Sequence, residues 1–178
     1  MRLIATEEHI ESAVVTAQIA AATGKSALPP LSAGLLGYMR DNLPTPAEMQ
    51  DTTTDRLAYM DAQGIDLAVL SYGNSSPQNL TPEVAIRLCQ LANDALAKQV
   101  ASQPTRYAGL AVLPVGDPRA AAMELSRAVN ELGLRGVLLK GNYQGKFFDD
   151  PFFFPIFEQA ATLDVPIYFH PSFIPQTV

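Results

Sequence analysis

The order of apolar and amphipathic segments predicts an α/β fold built on parallel strands, and three observations carry the prediction. Five short apolar runs recur along the chain, apolar throughout rather than alternating, as strands covered on both faces are. Helical stripes with recognisable start and stop residues separate the later runs. From the second run onward the starts lie about 30–40 residues apart, the spacing of a repeated βα unit with right-handed crossovers.

The first strand is expected over Leu3 to Thr6 and the second over Leu67 to Ser71. The third covers Tyr107 to Leu113, the fourth Gly136 to Lys140 and the fifth Val165 to His170. A helix over about Thr54 to Gln63 buries Leu57 and Met60 and ends at Gly64. Thr81 is placed to cap the next helix, and Pro82 fits its first turn, where a missing N–H costs nothing. Val84, Leu88, Leu91 and Ala95 then share one face. Asp117 and Pro118 repeat this grammar before the stripe Ala121, Leu125, Ala128 and Leu132, with Gly133 as the left-handed stop. A short aromatic helix near Phe153 to Thr162 precedes the fifth strand. The first connection is different, with about 60 residues between strands one and two, far longer than an ordinary loop. Its alanine-rich start predicts a helix, and it contains Pro29-Pro30, Pro44 and Pro46. An insertion of this kind, over about residues 10–53, is expected to act as a lid or binding loop over the end of the first strand.

Composition bounds the function. The chain has 178 residues, 48% hydrophobic and 17% charged, which suits one domain with a sizeable core and argues against disorder. Lys and Arg number 12 against 18 Asp and Glu, a net charge of -6 without a basic cluster, so nucleic acid is not an expected partner. Cys89 is the one cysteine, it reads as core packing, and it allows no internal disulfide, so a reducing cytoplasm is the expected location. No apolar run reaches the roughly 18 residues of a membrane helix. Glu7, Glu8 and Glu11 stand where a signal peptide would carry its basic and apolar regions.

The candidate chemistry lies at strand ends. The first strand closes in Thr6-Glu7-Glu8-His9. In extended backbone, residues two apart share a side, so Glu7 and His9 converge while Glu8 points away. A carboxylate beside an imidazole is a divalent-metal donor pair, and the same tripeptide read alone also describes a solvated strand end. The fifth strand ends in Tyr168-Phe169-His170-Pro171, where a lone histidine also reads as a satisfied buried one. The chain has only two histidines, and both sit at C-terminal ends of expected parallel strands, the edge where α/β folds bind ligands. Lys140 closes the fourth strand before Gly141-Asn142-Tyr143. It is either an anion contact, a modified metal bridge, or a lysine reaching solvent.

These residues also carry a resemblance. Arg2-Leu3-Ile4-Ala5-Thr6-Glu7-Glu8-His9 is similar to the opening of the amidohydrolase-related, metal-dependent decarboxylases. That group includes the γ-resorcylate, 2,3-dihydroxybenzoate, 5-carboxyvanillate and aminocarboxymuconate-semialdehyde enzymes. Further similarity follows in order: the run from Arg56 to Asp66, Ala92-Asn93-Asp94, Pro104-Thr105-Arg106-Tyr107, Leu113-Pro114, Leu132 to Leu138, Asp150-Pro151-Phe152 and Val165 to Pro171. The resemblance implies a distorted (β/α)8 TIM-like barrel, with about the first five βα units present in one partial-barrel domain over residues 1–178. It implies one divalent metal, zinc or manganese, with Glu7 and His9 as the Glu-x-His ligands of strand one and His170 as the ligand of strand five. Members of the family are considerably longer, and their later-strand catalytic histidine and late aspartate have no counterpart among these residues. The resemblance therefore implies that the acid/base histidine lies beyond Val178, the last residue of this sequence. Five open strands would also leave two unpaired edges, so the chain is expected to be part of a longer polypeptide or to receive strands from elsewhere.

The function expected from this resemblance is non-oxidative decarboxylation of an aromatic or unsaturated acid, with Lys140, Asn142 and Arg56 as substrate contacts. The alternatives are metal-dependent hydrolysis of an amide, ester or lactone, which Lys140 keeps open because related hydrolases carry a carboxylated lysine there, and an inactive barrel fragment. The expected partners are a small carboxylic acid and further copies of the chain, as a dimer or tetramer, with no nucleic acid and no membrane.

Overall fold

The computed structural model describes residues 1–24, 32–73 and 75–171. The elements run β1 (Ile4–Ile10), α1 (Ala13–Thr23), α2 (Ala33–Asn42), α3 (Pro46–Gln50), α4 (Asp55–Gln63), β2 (Leu67–Tyr72), α5 (Pro82–Ser102), β3 (Tyr107–Gly109), α6 (Pro118–Asn130), β4 (Val137–Lys140), a 3-10 turn (Pro151–Phe153), α7 (Phe154–Leu163) and β5 (Ile167–His170). All five strands are parallel. β1, β2 and β3 form one ladder and β4 and β5 another, and a bridge between Ala111 and Val137 joins them in the order 1-2-3-4-5.

Helices α5, α6 and α7 cover one face of this sheet. Leu88, Leu96, Leu125 and Ile156 from these helices are fully buried, together with Leu70, Val137 and Leu139 from the strands. The expected start chemistry holds at α6, where the Asp117 carboxylate accepts from the N–H groups of Arg119 and Ala120, both at 3.1 Å. The helix ends earlier than expected, at Asn130 with Glu131 as its αR cap, before the left-handed Gly133. Gly64 ends α4 at φ 67°, a conformation that costs glycine little. At α5 the expectation is corrected. Thr81 occupies the cap position and Pro82 follows, but the threonine side chain caps no N–H.

Two strands depart from their expected lengths. β3 ends at Gly109 rather than Leu113, because the backbone beyond it changes partners. Ala111 bridges to β4, and the N–H and C=O of Val112 are both taken by the Asn93 amide of α5, at 2.9 and 3.0 Å. β1 instead continues to Ile10 and carries a bulge: the step from Ala5 to Glu8 faces only the step from Ala68 to Leu70.

The first connection folds into α1, α2 and α3 before α4. α1 buries Val15 and Ile19, whereas α2 buries no residue. α3 reaches the end of β1, where Glu11 N–H donates to the Met49 carbonyl at 3.1 Å. Pro29-Pro30 lies outside the described residues, and so does Val178. Cys89 is fully buried in the α5 core face, and burial pushes its thiol up, which keeps it an unreactive packing residue.

Candidate metal centre

The bulge in β1 places an extra residue just before the first histidine, and Glu7 takes it up at φ 60°. Few non-glycine residues adopt this left-handed conformation, and bulges of this kind re-aim a side chain near functional sites. The alternation expected to bring Glu7 and His9 to one side is therefore interrupted, and the bulge decides where the carboxylate goes. Tyr168 O–H of β5 donates to Glu7 Oε1 at 2.9 Å. Two residues on, and hence on the same side of β5, His170 meets His9: their Nε2 atoms lie 3.0 Å apart and their rings stand edge to face.

These two rungs join the first strand to the fifth. In a flat sheet, strands four neighbours apart would be about 19 Å distant. Side chains that touch across that interval require the sheet to curl into part of a barrel wall, with both histidines on its inner side.

The pair is set from behind. His9 Nδ1 lies 3.0 Å from Ser71 Oγ, its ladder neighbour on β2. His170 Nδ1 faces the Pro171 carbonyl, which only accepts, so in the neutral ring that nitrogen carries the proton and Nε2 offers its lone pair inward. Burial, then the charges of His170 and Lys140, push the His9 imidazole down to about 4. Near neutral pH it is an uncharged ligand-type ring. Two imidazoles, each backed by an oxygen on Nδ1, form the donor set that divalent cations use, and ligand nitrogens about 2.1 Å from one ion stand about 3 Å apart when they meet at a right angle. The residues present fit such an ion. Glu7 stands one rung away on Tyr168, and among the described residues no three His, Cys, Asp or Glu side chains close to ligand spacing.

Lys140, the ladder partner of His170, donates from Nζ to the Gly73 carbonyl at 2.9 Å, and burial pushes its ammonium pKa down. The other two expected substrate contacts are engaged elsewhere. Asn142 builds the turn after β4: its Oδ1 accepts from Gly145 N–H, and its carbonyl accepts from Asn79 Nδ2, both at 3.0 Å. Arg56 braces β1 from the α4 side. Its guanidinium donates to Glu8 Oε2 and to the His9 carbonyl at 2.9 Å, and to the Asp51 carbonyl at 3.2 Å. The described residues end at Pro171, so the acid/base histidine expected beyond Val178 lies outside them. Both histidines of the chain stand together at the β1 and β5 strand ends instead.

Sequence reasoning missed Ser71, Gly73, Gln78 and Tyr168. Ser71 and Tyr168 had a usable signal, since one is a polar residue closing an apolar strand and the other lies two positions before a candidate ligand. Gly73 and Gln78 had none, because their contacts lie on distant segments.

Comparison with known proteins shows the family and the fold. The amidohydrolase family profile matches residues 47–178, and the chain belongs to that family. Over 132 residues it is 39% identical to γ-resorcylate decarboxylase of Polaromonas sp. JS666, covering 70% of this chain and 40% of that protein. The crystal structure of 5-carboxyvanillate decarboxylase from Sphingomonas paucimobilis superposes with a TM-score of 0.84 at 32% identity, over 99% of this chain and 54% of that one. The corresponding enzyme of Novosphingobium aromaticivorans, complexed with manganese and 4-hydroxy-3-methoxy-5-nitrobenzoic acid, gives 0.83 at 29% identity over 99% and 52%. The fold is thus the α/β barrel type of these decarboxylases, and the chain spans about two fifths to half the length of the relatives it matches.

Proposed function

We propose that this chain contributes the cation-holding wall of a metal-dependent, non-oxidative decarboxylase of an aromatic carboxylic acid. The observation that carries the reading is the meeting of the chain's only two histidines, Nε2 to Nε2 at 3.0 Å, at the C-terminal ends of β1 and β5. The family membership and the manganese-bound relative support it.

His9 and His170 would hold the ion, with Glu7 joining by turning from Tyr168. When bound, manganese or zinc supplies Lewis-acid polarisation of the substrate's carboxylate and of an adjacent oxygen. The ion pair and hydrogen bonds of Arg56 hold the β1 backbone at His9, and Ser71 orients the ring. Lys140, pinned by Gly73, places positive charge beside the histidines, where a substrate oxyanion would be bound. In the reaction the bond between ring carbon and carboxylate carbon breaks, its electron pair stays on the ring carbon, and a proton from a neighbouring acid replaces the departing carbon dioxide.

Hydrolysis of a lactone or amide is kept as a second reading on one observation, the partly buried amine of Lys140 at the end of β4. The test has two parts. Calorimetric titration with Mn2+ is expected to show one site, abolished in His170→Ala and weakened at least tenfold in Glu7→Ala. Carbon dioxide release from dihydroxybenzoates is then measured against lactone hydrolysis. Absence of binding removes the metal reading, and hydrolysis without carbon dioxide release transfers it to the second reaction.

A further inference from the structure

The segment that follows β2 touches β1 at His9 and β4 at Lys140, the ladder partner of His170. In β4 the residues alternate between neighbours: Leu138 N–H donates to Ala111 O toward β3, while Gly141 N–H donates to His170 O toward β5. Lys140 also faces the β3 side, but there the chain has turned on itself, and the Leu113 carbonyl accepts from Val115 N–H at 3.0 Å. A strand residue left in this position would bury an unpaired donor and acceptor.

Gln78 fills the gap. Its Nε2 donates to the Lys140 carbonyl at 2.8 Å, and its Oε1 accepts from the Lys140 N–H at 3.0 Å, with only 2% of the residue exposed. One side-chain amide thus replaces a strand neighbour. Asn79 adds a bond to the Asn142 carbonyl at 3.0 Å. Gly73, at the start of the same segment, takes the Lys140 ammonium on its carbonyl. It also lies against the His9 ring: a Cβ there would stand 3.1 Å from His9 Cγ. The segment therefore spans the curled sheet from the ring of His9 to the backbone opposite His170, bypassing β3.

We infer that Gln78 is a positioning residue that sets the spacing of His9 and His170, by clasping the backbone of Lys140 at the end of β4. The inference rests on the proposed metal reading and adds a residue that acts on the centre without touching the ion. Gln78→Met keeps the side chain's length and removes both bonds. In the metal-stripped full chain, Mn2+ affinity is read by calorimetry and by the electron paramagnetic resonance of free Mn2+, alongside thermal unfolding in chelator.

The expected result is an Mn2+ affinity at least tenfold weaker in Gln78→Met, the scale at which outer-shell partners act. Asn93→Leu is the control, because it breaks the same kind of amide-to-backbone clasp, at Val112, on the helix-covered side of the sheet. It is expected to lower the unfolding temperature and leave Mn2+ affinity within twofold. If Gln78→Met lowers only the unfolding temperature and binds Mn2+ like the parent, the inference falls and the metal reading stands. If the parent itself binds no Mn2+, both fall. Should Gln78→Met not fold, Gln78→Glu is judged by the same criteria, since it keeps the acceptor for Lys140 N–H and opposes its carbonyl.

Discussion

Arg56 shows how a residue's chemistry depends on the side from which it is approached. A cation in a family-like motif reads as an anion contact, yet its side chain is 12% exposed and its guanidinium holds Glu8 and two carbonyls. Arg56→Met is expected to cost about 2 kcal/mol in denaturant unfolding, since hydrogen bonds to charged groups are each worth about 1.5–3 kcal/mol and Glu8 is partly solvated. Gly73→Ala forces a methyl against the His9 ring, and overpacking of this kind costs about 1–3 kcal/mol. Weakened Mn2+ uptake together with a lowered denaturant midpoint would confirm the clash. His9 carries a pH dependence in the metal-free chain. Its imidazole binds a proton near 6.5 when unfolded and only near 4 when folded, so the unfolded chain binds more protons between those values. Stability is therefore full above pH 6.5 and is lost as pH falls toward 4. Urea midpoints at pH 7.5 and 5 check this, and the drop should shrink in His9→Gln.

Elements were legible where local rules govern them. All five strands and the four helices that follow the insertion, α4 to α7, lie close to their expected places, because continuous apolar runs, helical stripes, prolines and caps act within a few residues. At the start of α6 the capping rule holds, and Asp117→Ala should cost about 1 kcal/mol, read from its thermal unfolding midpoint. The rule fails where a distant group intervenes. β3 is cut short by a side chain of α5, so no pattern inside residues 107–113 reports its end. The bulge in β1 is equally silent, since Thr6 and Glu7 suit ordinary strand and only pairing with β2 exposes the extra residue.

At the scale of the molecule, the curl of the sheet leaves two edges without partners among the described residues. Leu3 and Ile4 at the start of β1 are 45% and 50% exposed, and Phe169 of β5 is 57% exposed beside the rings of Phe148 and Phe157. Open strand edges flanked by apolar side chains pair with other chains. Sedimentation velocity is expected to show a mass that rises with concentration, and Ile4→Lys with Phe169→Lys should return the chain to a monomer. Unchanged association in the double variant would place the contact elsewhere, with α2 the next surface to test.

The sequence by itself determined the parallel α/β class, the order of elements and the candidate ligands, because these follow from residue types and spacings along the chain. Tertiary structure alone decided that Tyr168 holds Glu7, that Gln78 stands in for a strand, and that Arg56 bonds to Glu8 and the β1 backbone while Asn142 bonds to the turn after β4. Those roles depend on which groups the curled sheet brings within 3 Å, often from more than sixty residues away, where hydrogen-bond geometry rather than local pattern selects the partner.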